Sequence, residues 1–490
     1  MTTTATLIGA ASSSLHWDSI DWKPIKALVR RLQMRISKAV REGRWGKVKA
    51  LQWLLTHSFA AKLLAVKRVV SNAGRKTAGV DGVIWRTSEQ KRRAARSLRR
   101  RGYQALPLRR IYIPKKNGKR RGLGIPVMCD RSQQALHLLS LEPVAETKAD
   151  PNSYGCRPKR SAADAIAQCF NSLAKRASAQ WIFEADVKAC FDRISHPWLI
   201  DHVPMDKQVL RKWLAAGYME DGVVYPTEEG TPQGGIISPT LANWTLDGLE
   251  EVAHKAVGSG WKINFVRYAD DFIITSSSKE VLETIVQPAV AAFLKERGLE
   301  LSAEKTKITH IDEGFDFLGF NVRKYGGKLL IKPAKEAVKR FLDGIRVFIK
   351  SHTAIKTEDL IRQLNRKISG WTNYYRHVVS KDIFSYVDYQ AFRALVRWTK
   401  RRHPEKSKAW RKQRYFRVSG GRQWTFFAKS RDAQGKTTYV ELIHANSVSI
   451  TRHVKIQSDA NPYDPKDMDY FTRRANARRE ATYTWRGAGA

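Results

Sequence analysis

Phe265-Val266-Arg267-Tyr268-Ala269-Asp270-Asp271-Phe272-Ile273-Ile274 sets two adjacent carboxylates between two short apolar, β-branched runs, with no Gly or Pro among them. The pattern predicts a β-hairpin whose tip presents Asp270 and Asp271 and whose apolar flanks are buried on one side. Two carboxylates side by side repel each other unless cations neutralise them. Their hard oxygens suit Mg²⁺, which takes few protein ligands and keeps positions open for phosphate. A lone Ala-Asp-Asp also suits a charged turn facing water, so the reading turns on what else the chain supplies.

A third carboxylate lies upstream. Trp181-Ile182-Phe183-Glu184-Ala185-Asp186-Val187-Lys188-Ala189-Cys190-Phe191-Asp192 begins as a strand and turns towards a helix. Asp186 falls at the strand's end, where a neighbouring strand can set it beside Asp270. Three carboxylates on two paired strands can hold two Mg²⁺ ions roughly 3.5–4 Å apart, the arrangement for in-line displacement at phosphorus. A strand-borne Asp, an aromatic five residues on, and a later Tyr-Ala-Asp-Asp resemble the palm of a reverse transcriptase. The resemblance implies RNA-directed DNA synthesis, with Asp186, Asp270 and Asp271 both catalytic and metal-binding.

The chain has 490 residues, which suggests two to four domains. A net charge of +42 calls for a polyanionic partner, and nucleic acid is the default inference. Charge alone also suits a ribosomal-type or membrane-surface protein. Cys129, Cys156, Cys169 and Cys190 show no Cys-x-x-Cys spacing, so neither a zinc site nor a disulfide framework is indicated. With no basic leader and no apolar run of membrane-spanning length, the expectation is a cytoplasmic protein without a membrane partner.

From Trp17 to about Val70 apolar residues recur at helical spacing, broken at Gly43-Arg44-Trp45-Gly46. The outward faces are basic, which suits RNA and solvated helices equally. Between Arg86 and Arg121, 15 of 36 residues are Lys or Arg and Glu89 is the one acid. That block contains a strand from Ile111, a turn at Asn117-Gly118 and a returning strand. In similar reverse transcriptases a Lys after an Ile-Pro and an Arg just ahead of Leu-Gly-Ile-Pro contact the incoming triphosphate. The resemblance carries those roles to Lys115 and Arg121.

Asp130 to Glu146 reads as a helix, and Ser153-Tyr154-Gly155-Cys156-Arg157-Pro158 resembles a block of the same family, with Cys156 in an aromatic's usual place. Residues 161–176 form the helix before the strand of Asp186. Phe191 alone suits core packing as well as function. Beside Asp186 it reads as a steric gate that collides with a 2′-hydroxyl and selects deoxynucleotides. Gly230-Thr231-Pro232-Gln233-Gly234-Gly235 is a turn-rich loop in which Gln233 can present donors and an acceptor to a nucleotide. A helix is expected over Thr240–Val257 and another over 280–297. Lys305 is the candidate for the family's lysine that approaches the active site. Phe315–Phe320 reads as one short strand resembling the primer grip.

From about Pro333 to His403 three helical stripes follow, read as a thumb. Gly370-Trp371-Thr372-Asn373-Tyr374-Tyr375-Arg376 interleaves aromatics with Asn and Arg, suited to stacking on RNA or to packing the thumb alone. It resembles the maturase domain of group II intron reverse transcriptases, which would make Trp371, Tyr374, Tyr375 and Arg376 RNA-binding. Residues 404–490 carry 18 Lys or Arg against 8 Asp or Glu, a composition for backbone binding.

The fold expected is therefore α+β: a right-hand polymerase with fingers and palm, a helical thumb (maturase domain X) and a small basic C-terminal domain. The expected division is an N-terminal RNA-binding extension over 1–60, fingers and palm over 61–330, thumb over 331–403 and a DNA-binding tail over 404–490. Asn461-Pro462-Tyr463-Asp464-Pro465 resembles the segment ahead of an HNH endonuclease domain, and the reading has that nuclease missing. The expected function is a group II intron-encoded RNA-directed DNA polymerase that uses two Mg²⁺ ions and deoxynucleotides, binds its intron RNA and target DNA, and assists splicing and mobility. A free-standing bacterial reverse transcriptase and an RNA-binding maturase without polymerase activity are the alternatives. The sequence leaves oligomeric state open.

Overall fold

The computed structural model describes residues 16–487 except 115–117, 119, 232, 233 and 433. In chain order, α1 (Trp22–Arg41), α2 (Trp45–His57) and α3 (Phe59–Ser71) form the N-terminal stripe. The Asp21 carboxylate caps α1 at the Lys23 amide, and Gly43 makes a left-handed turn (φ +67°) before α2. A capping box between Thr87 and Gln90 opens α4 (Ser88–Ser97). The basic hairpin is β1 (Leu108–Pro114) and β2 (Arg120–Ile125), followed by α5 (Met128–Lys148). Val29, Ile36, Leu55, Val66 and Val69 share one buried core with Leu136 and Val144 of α5.

Next come α6 (Ala162–Leu173), β3 (Trp181–Asp186), α7 (Cys190–Arg193), α8 (His196–His202) and α9 (Lys207–Leu214). Two three-residue strands, β4 (Tyr218–Glu220) and β5 (Val223–Tyr225), extend the basic hairpin into a sheet of order β2-β1-β4-β5. The expected helix over Thr240–Val257 is two, α10 (Ser238–Leu246) and α11 (Leu249–Val257). Gly248 separates them at φ +97°, its amide donating to Asp150 Oδ1 at 2.9 Å. The Asp270-Asp271 hairpin is β6 (Asn264–Tyr268) and β7 (Asp271–Ser276). The helix after it is interrupted by a wider π turn at Leu282–Val286, between α12 (Lys279–Val281) and α13 (Gln287–Lys295). With β8 (Lys307–His310) the hairpin completes a sheet of order β6-β7-β3-β8.

Phe315–Phe320 is not one strand. β9 (Phe315–Phe317) ends at a turn through Leu318 and Gly319, both at positive φ, and β10 (Phe320–Tyr325) returns antiparallel, with β11 (Lys328–Pro333) beyond it. Three amphipathic helices follow, α14 (Lys335–Ser351), α15 (Thr357–Tyr375) and α16 (Lys381–Arg402). The remainder holds α17 (Lys408–Tyr415), a sheet of β12 (Phe416–Ser419), β13 (Arg422–Arg431) and β14 (Thr437–Glu441), and α18 (Met468–Gly487). Mixed helices and mainly antiparallel sheets make the fold α+β.

Two compact units divide the chain. The first comprises Met1–Ser161, Phe183–Ile308 and Ile456–Arg474. The second comprises Ala162–Ile182, Thr309–Lys455 and Ala475–Ala490. Within the first, Asn461 to Asp464 lies across α1 and α5. Arg41 pairs with Asp464, the Tyr463 hydroxyl donates to Glu142, and the Asn461 amide donates to Thr147 at 3.0 Å. No helix among the described residues is long and apolar enough to cross a membrane.

Candidate active site

Tyr268 and Asp271 close the β6–β7 ladder, leaving Ala269 and Asp270 as a two-residue turn. Ala269 has φ +57°, the sign that the first central residue of a tight hairpin turn takes and that usually goes to Gly. A left-handed non-glycine residue costs of order 1–3 kcal/mol and persists only where its surroundings impose it. Here the surroundings are the Asn152–Gly155 segment. The Arg267 amide donates to Asn152 O at 3.0 Å, and the Tyr154 amide donates to Arg267 O at 2.9 Å. A Cβ on Gly155 would stand 2.2 Å from the Ala269 nitrogen, so only glycine lets this backbone lie against the tip.

Beneath the tip, Arg267 is fully buried. Its guanidinium pairs with Asp247, reaches Asp150 at 3.8 Å and donates to Asn243 Oδ1 at 3.2 Å. Arg157 is buried alongside, donating to both oxygens of Glu146 at 2.9 Å and to the carbonyls of Asp150 and Ser153. Burial pushes the Asp247 carboxyl up, against the pull of Arg267. The sequence reading passed over this network. An arginine in the middle of an apolar strand, Phe-Val-Arg-Tyr, was the available signal, since a buried guanidinium requires buried acids.

Asp186 ends β3 and is largely buried. The 300–305 segment pairs with the strand's end, its Ser302 amide donating to Asp186 O at 2.8 Å. That contact delivers the Lys305 ammonium to Asp186 Oδ2 at 2.5 Å. Asp271 is raised to about 7, first by partial withdrawal from water, then by its hydrogen bond with Asp186 and the charges of Asp270 and Asp186. Its side chain still meets solvent, so crowding of like charge is the part a cation would relieve. Asp270 is raised by burial and by Asp186, and lowered by Arg121 and Lys305. Among the described residues no three His, Cys, Asp or Glu side chains converge closely enough to hold a metal ion as they lie. Asp186 and Asp271 meet each other, Asp270 stands within electrostatic reach, and Lys305 supplies the positive charge.

Phe191 lies half-buried in α7, four residues past the bridge that Val187 makes with Leu301. Its carbonyl accepts from the Thr231 amide at 2.6 Å, which ties the Gly-rich loop to the turn after β3. On the loop's other side a Cβ at Gly234 would stand 2.4 Å from Gly124 O of β2, and Gln134 Oε1 accepts from the Ile236 amide at 2.8 Å. The loop is thus drawn against both α7 and the basic hairpin. Arg121 sits opposite Ile113 in that hairpin. Lys115 and Gln233 lie outside the described residues.

Comparison with known proteins adds to this geometry. The family described as reverse transcriptase (RNA-dependent DNA polymerase) matches residues 113–322, which hold the three carboxylates. The N-terminal domain of reverse transcriptase matches residues 17–98, and the group II intron maturase-specific domain matches 338–416. Protein YkfC of Escherichia coli is 34% identical over 298 residues, 52% of this chain and 78% of that protein. The group II intron-encoded protein LtrA of Lactococcus lactis is 28% identical over 409 residues, 64% of this chain and 68% of that protein. The chain belongs to the group II intron reverse transcriptase/maturase family.

The maturase-specific match takes in α14 to α16, where the expected RNA-binding aromatics lie at the end of α15. Trp371 is stacked on Phe341, centroids 4.6 Å apart, and Arg376 donates to Thr451 Oγ1 at 2.7 Å. Tyr374 is 40% exposed, with its hydroxyl on Leu318 O at 2.9 Å. Tyr375 is a correction to the expected set. Only 4% exposed, with its hydroxyl on Gly319 O at 3.1 Å, it has no ring face left for a base.

Proposed function

We propose that this group II intron-encoded reverse transcriptase copies RNA into DNA at Asp186, Asp270 and Asp271 with two Mg²⁺ ions, and that it binds its intron RNA to assist splicing and mobility at a DNA target. The observation that carries the catalytic half is the meeting of Asp186 and Asp271 at the hairpin tip, with Asp270 beside them and a cation already drawn to Asp186. The donor set fits Mg²⁺ in chemistry and charge: hard carboxylate oxygens, mutually repelling, in a basic protein. When bound, the ions would lower the pKa of the primer 3′-hydroxyl and neutralise the leaving pyrophosphate.

The chain's own residues do the rest. The strained Ala269 turn, locked by Gly155, fixes Asp270 and Asp271 in direction before substrate arrives, which spares reorganisation at the moment of reaction. Arg121 on the basic hairpin, together with Lys115 and Gln233, holds the incoming deoxynucleotide. Phe191 excludes a 2′-hydroxyl. Lys305, paired here with Asp186, would face the triphosphate when that carboxylate holds Mg²⁺. Residues 61–330 then act as fingers and palm, 331–403 as the thumb, and the basic surfaces of 1–60 and 404–490 hold RNA and DNA. Trp371, Tyr374 and Arg376 are the RNA contacts this reading keeps.

The test is primer extension on an RNA template with Mg²⁺. Asp270→Asn should abolish synthesis while leaving affinity for RNA nearly unchanged, because binding is spread over the basic faces. Extension by that variant at the normal rate would overturn the assignment.

A further inference from the structure

The first unit holds a cavity of about 830 Å³ that shares no lining residue with the carboxylate hairpin. It lies between α2, the Arg99–Arg101 turn, α5 and the Pro204–Lys207 segment. Its volume is that of a small-molecule site. Six cations line it, Lys49, Lys62, Arg99, Arg100, Arg101 and Lys207, against the single acid Asp206. Asp206 is already engaged, paired with Arg100 and accepting from the first amides of α9. Burial lowers the pKa of Lys62 and Lys207, and the Lys207 ammonium donates to the carbonyls of Val203 at 2.7 Å and Asp201 at 3.2 Å. The chemistry asks for an anion.

Two further observations narrow the anion to one with an aromatic part. Trp53, also in the lining, is 60% exposed, its ring braced from behind by His57 at a centroid distance of 4.2 Å. An indole backed by an imidazole and open on the other side is a stacking platform. His137 also lines the cavity, 7% exposed and set edge-to-face against Trp213. Among the described residues its imidazole has no hydrogen-bond partner. Burial lowers it to about 4, so it is neutral at physiological pH and offers one donor and one acceptor.

We propose that this cavity takes up a single unpaired nucleotide of an RNA strand, its base stacked on Trp53, its phosphate among Lys49, Lys62 and Arg101, and His137 hydrogen-bonded to the ligand. This rests on the reading of the chain as an RNA-binding protein and adds a place where one extruded residue is held. A paired duplex has no free base face to offer, so the site separates looped from helical RNA.

The experiment measures fluorescence anisotropy of a labelled single-stranded octaribonucleotide, alone and annealed to its complement, with the full chain and with Trp53→Ala, Lys49→Glu and His137→Phe. The expected result is a loss of single-strand affinity in Trp53→Ala of about 5- to 150-fold, the range that one stacked base supplies. Lys49→Glu should weaken it too, and duplex affinity should not follow Trp53→Ala. Trp53 is exposed, so that variant keeps its fold even if His137→Phe does not. Competition by adenosine monophosphate separates the sources: no displacement supports a strand nucleotide, and full displacement would replace it by a free mononucleotide. Primer extension is run on the same proteins. Octamer affinity unchanged in Trp53→Ala, or lost together with extension, would overturn the cavity assignment and leave the polymerase reading intact.

Discussion

Gly155 lies flat against Ala269, with no room for a methyl group between them: a Cβ would stand 2.2 Å from the Ala269 nitrogen and 2.7 Å from the Tyr268 carbonyl carbon. The two residues are far apart in the chain, and together they fix the tip that carries Asp270. Gly155→Ala must therefore displace the tip. Overpacking of this kind costs about 1–3 kcal/mol of stability, while a carboxylate misplaced by about 1 Å can cost about a hundredfold in rate. The expected outcome is a protein that still melts cooperatively and has lost most of its primer extension. Wild-type extension rates in Gly155→Ala would show that the tip moves freely.

Arg267 concerns stability rather than rate. Removing a buried guanidinium leaves Asp247 and Asp150 without their partner, and breaking a buried pair costs about 3–5 kcal/mol. Arg267→Met should lower the melting temperature sharply and reduce soluble yield at physiological pH. A melting temperature within a degree or two of wild type, followed by circular dichroism, would mean that Arg157 and bound water carry the network alone.

Asp271 gives a pH dependence with a defined sign. Its pKa is raised from the ordinary 3.8 to about 7, so without metal the folded protein prefers the protonated carboxyl. Stability from that proton is fully present below the unfolded value near 3.8 and is lost as pH rises through about 7. Asp271→Asn mimics the protonated form at every pH. Without divalent cation it should melt above wild type at pH 8, with the gap narrowing as pH falls towards 4. Mg²⁺ should raise the wild-type melting temperature more than that of Asp271→Asn. A pH-independent gap would place the pKa elsewhere.

The hairpin was legible because its flanks are β-branched and its carboxylates adjacent, a pattern that local propensity and burial read the same way. The strand of Asp186 and the three helices after Pro333 were legible for the same reason. What stayed hidden depends on partners distant in sequence. The break at Gly248 sits in an unbroken apolar stripe and is paid for by Asp150, about a hundred residues away. The turn at Leu318-Gly319 divides two apolar strands that read as one, and its carbonyls are taken by Tyr374 and Tyr375 from another helix. Tyr463 and Asp464 read as the segment ahead of an endonuclease domain, and nothing local joins them to Arg41 of α1 and Glu142 of α5. No local pattern announces such pairs.

Phe191 tests sugar selection. It sits half-buried where the Thr231 amide takes its carbonyl, so its backbone is fixed and its ring alone is varied by substitution. Phe191→Val should let ribonucleotides compete better with deoxynucleotides, read as the ratio of their kcat/KM values in single-nucleotide incorporation. A ratio that does not move, with a lowered melting temperature, would make Phe191 a core residue only.

Adjacent tyrosines at the end of α15 test RNA binding against packing. Tyr374 keeps an open ring face, whereas Tyr375 is enclosed and uses its hydroxyl to hold the Gly319 carbonyl, so their substitutions should fail in different assays. Tyr375→Phe removes one intramolecular hydrogen bond, worth about 0.5–1.5 kcal/mol, and should lower the melting temperature with little change in RNA affinity. Tyr374→Ala with Arg376→Ala removes a stacking face and a guanidinium that donates to Thr451. Loss of one stacked base costs about 1–3 kcal/mol, so binding of intron RNA should weaken roughly 5- to 150-fold on that scale. Extension of a simple primer–template should fall far less, because the proposed chemistry lies at the carboxylates. The measurements are filter binding with intron RNA, a splicing assay and primer extension on the same preparations. Equal losses in all three, matched by a lowered melting temperature, would mean that Tyr374 and Arg376 hold the helix end together and do nothing for RNA.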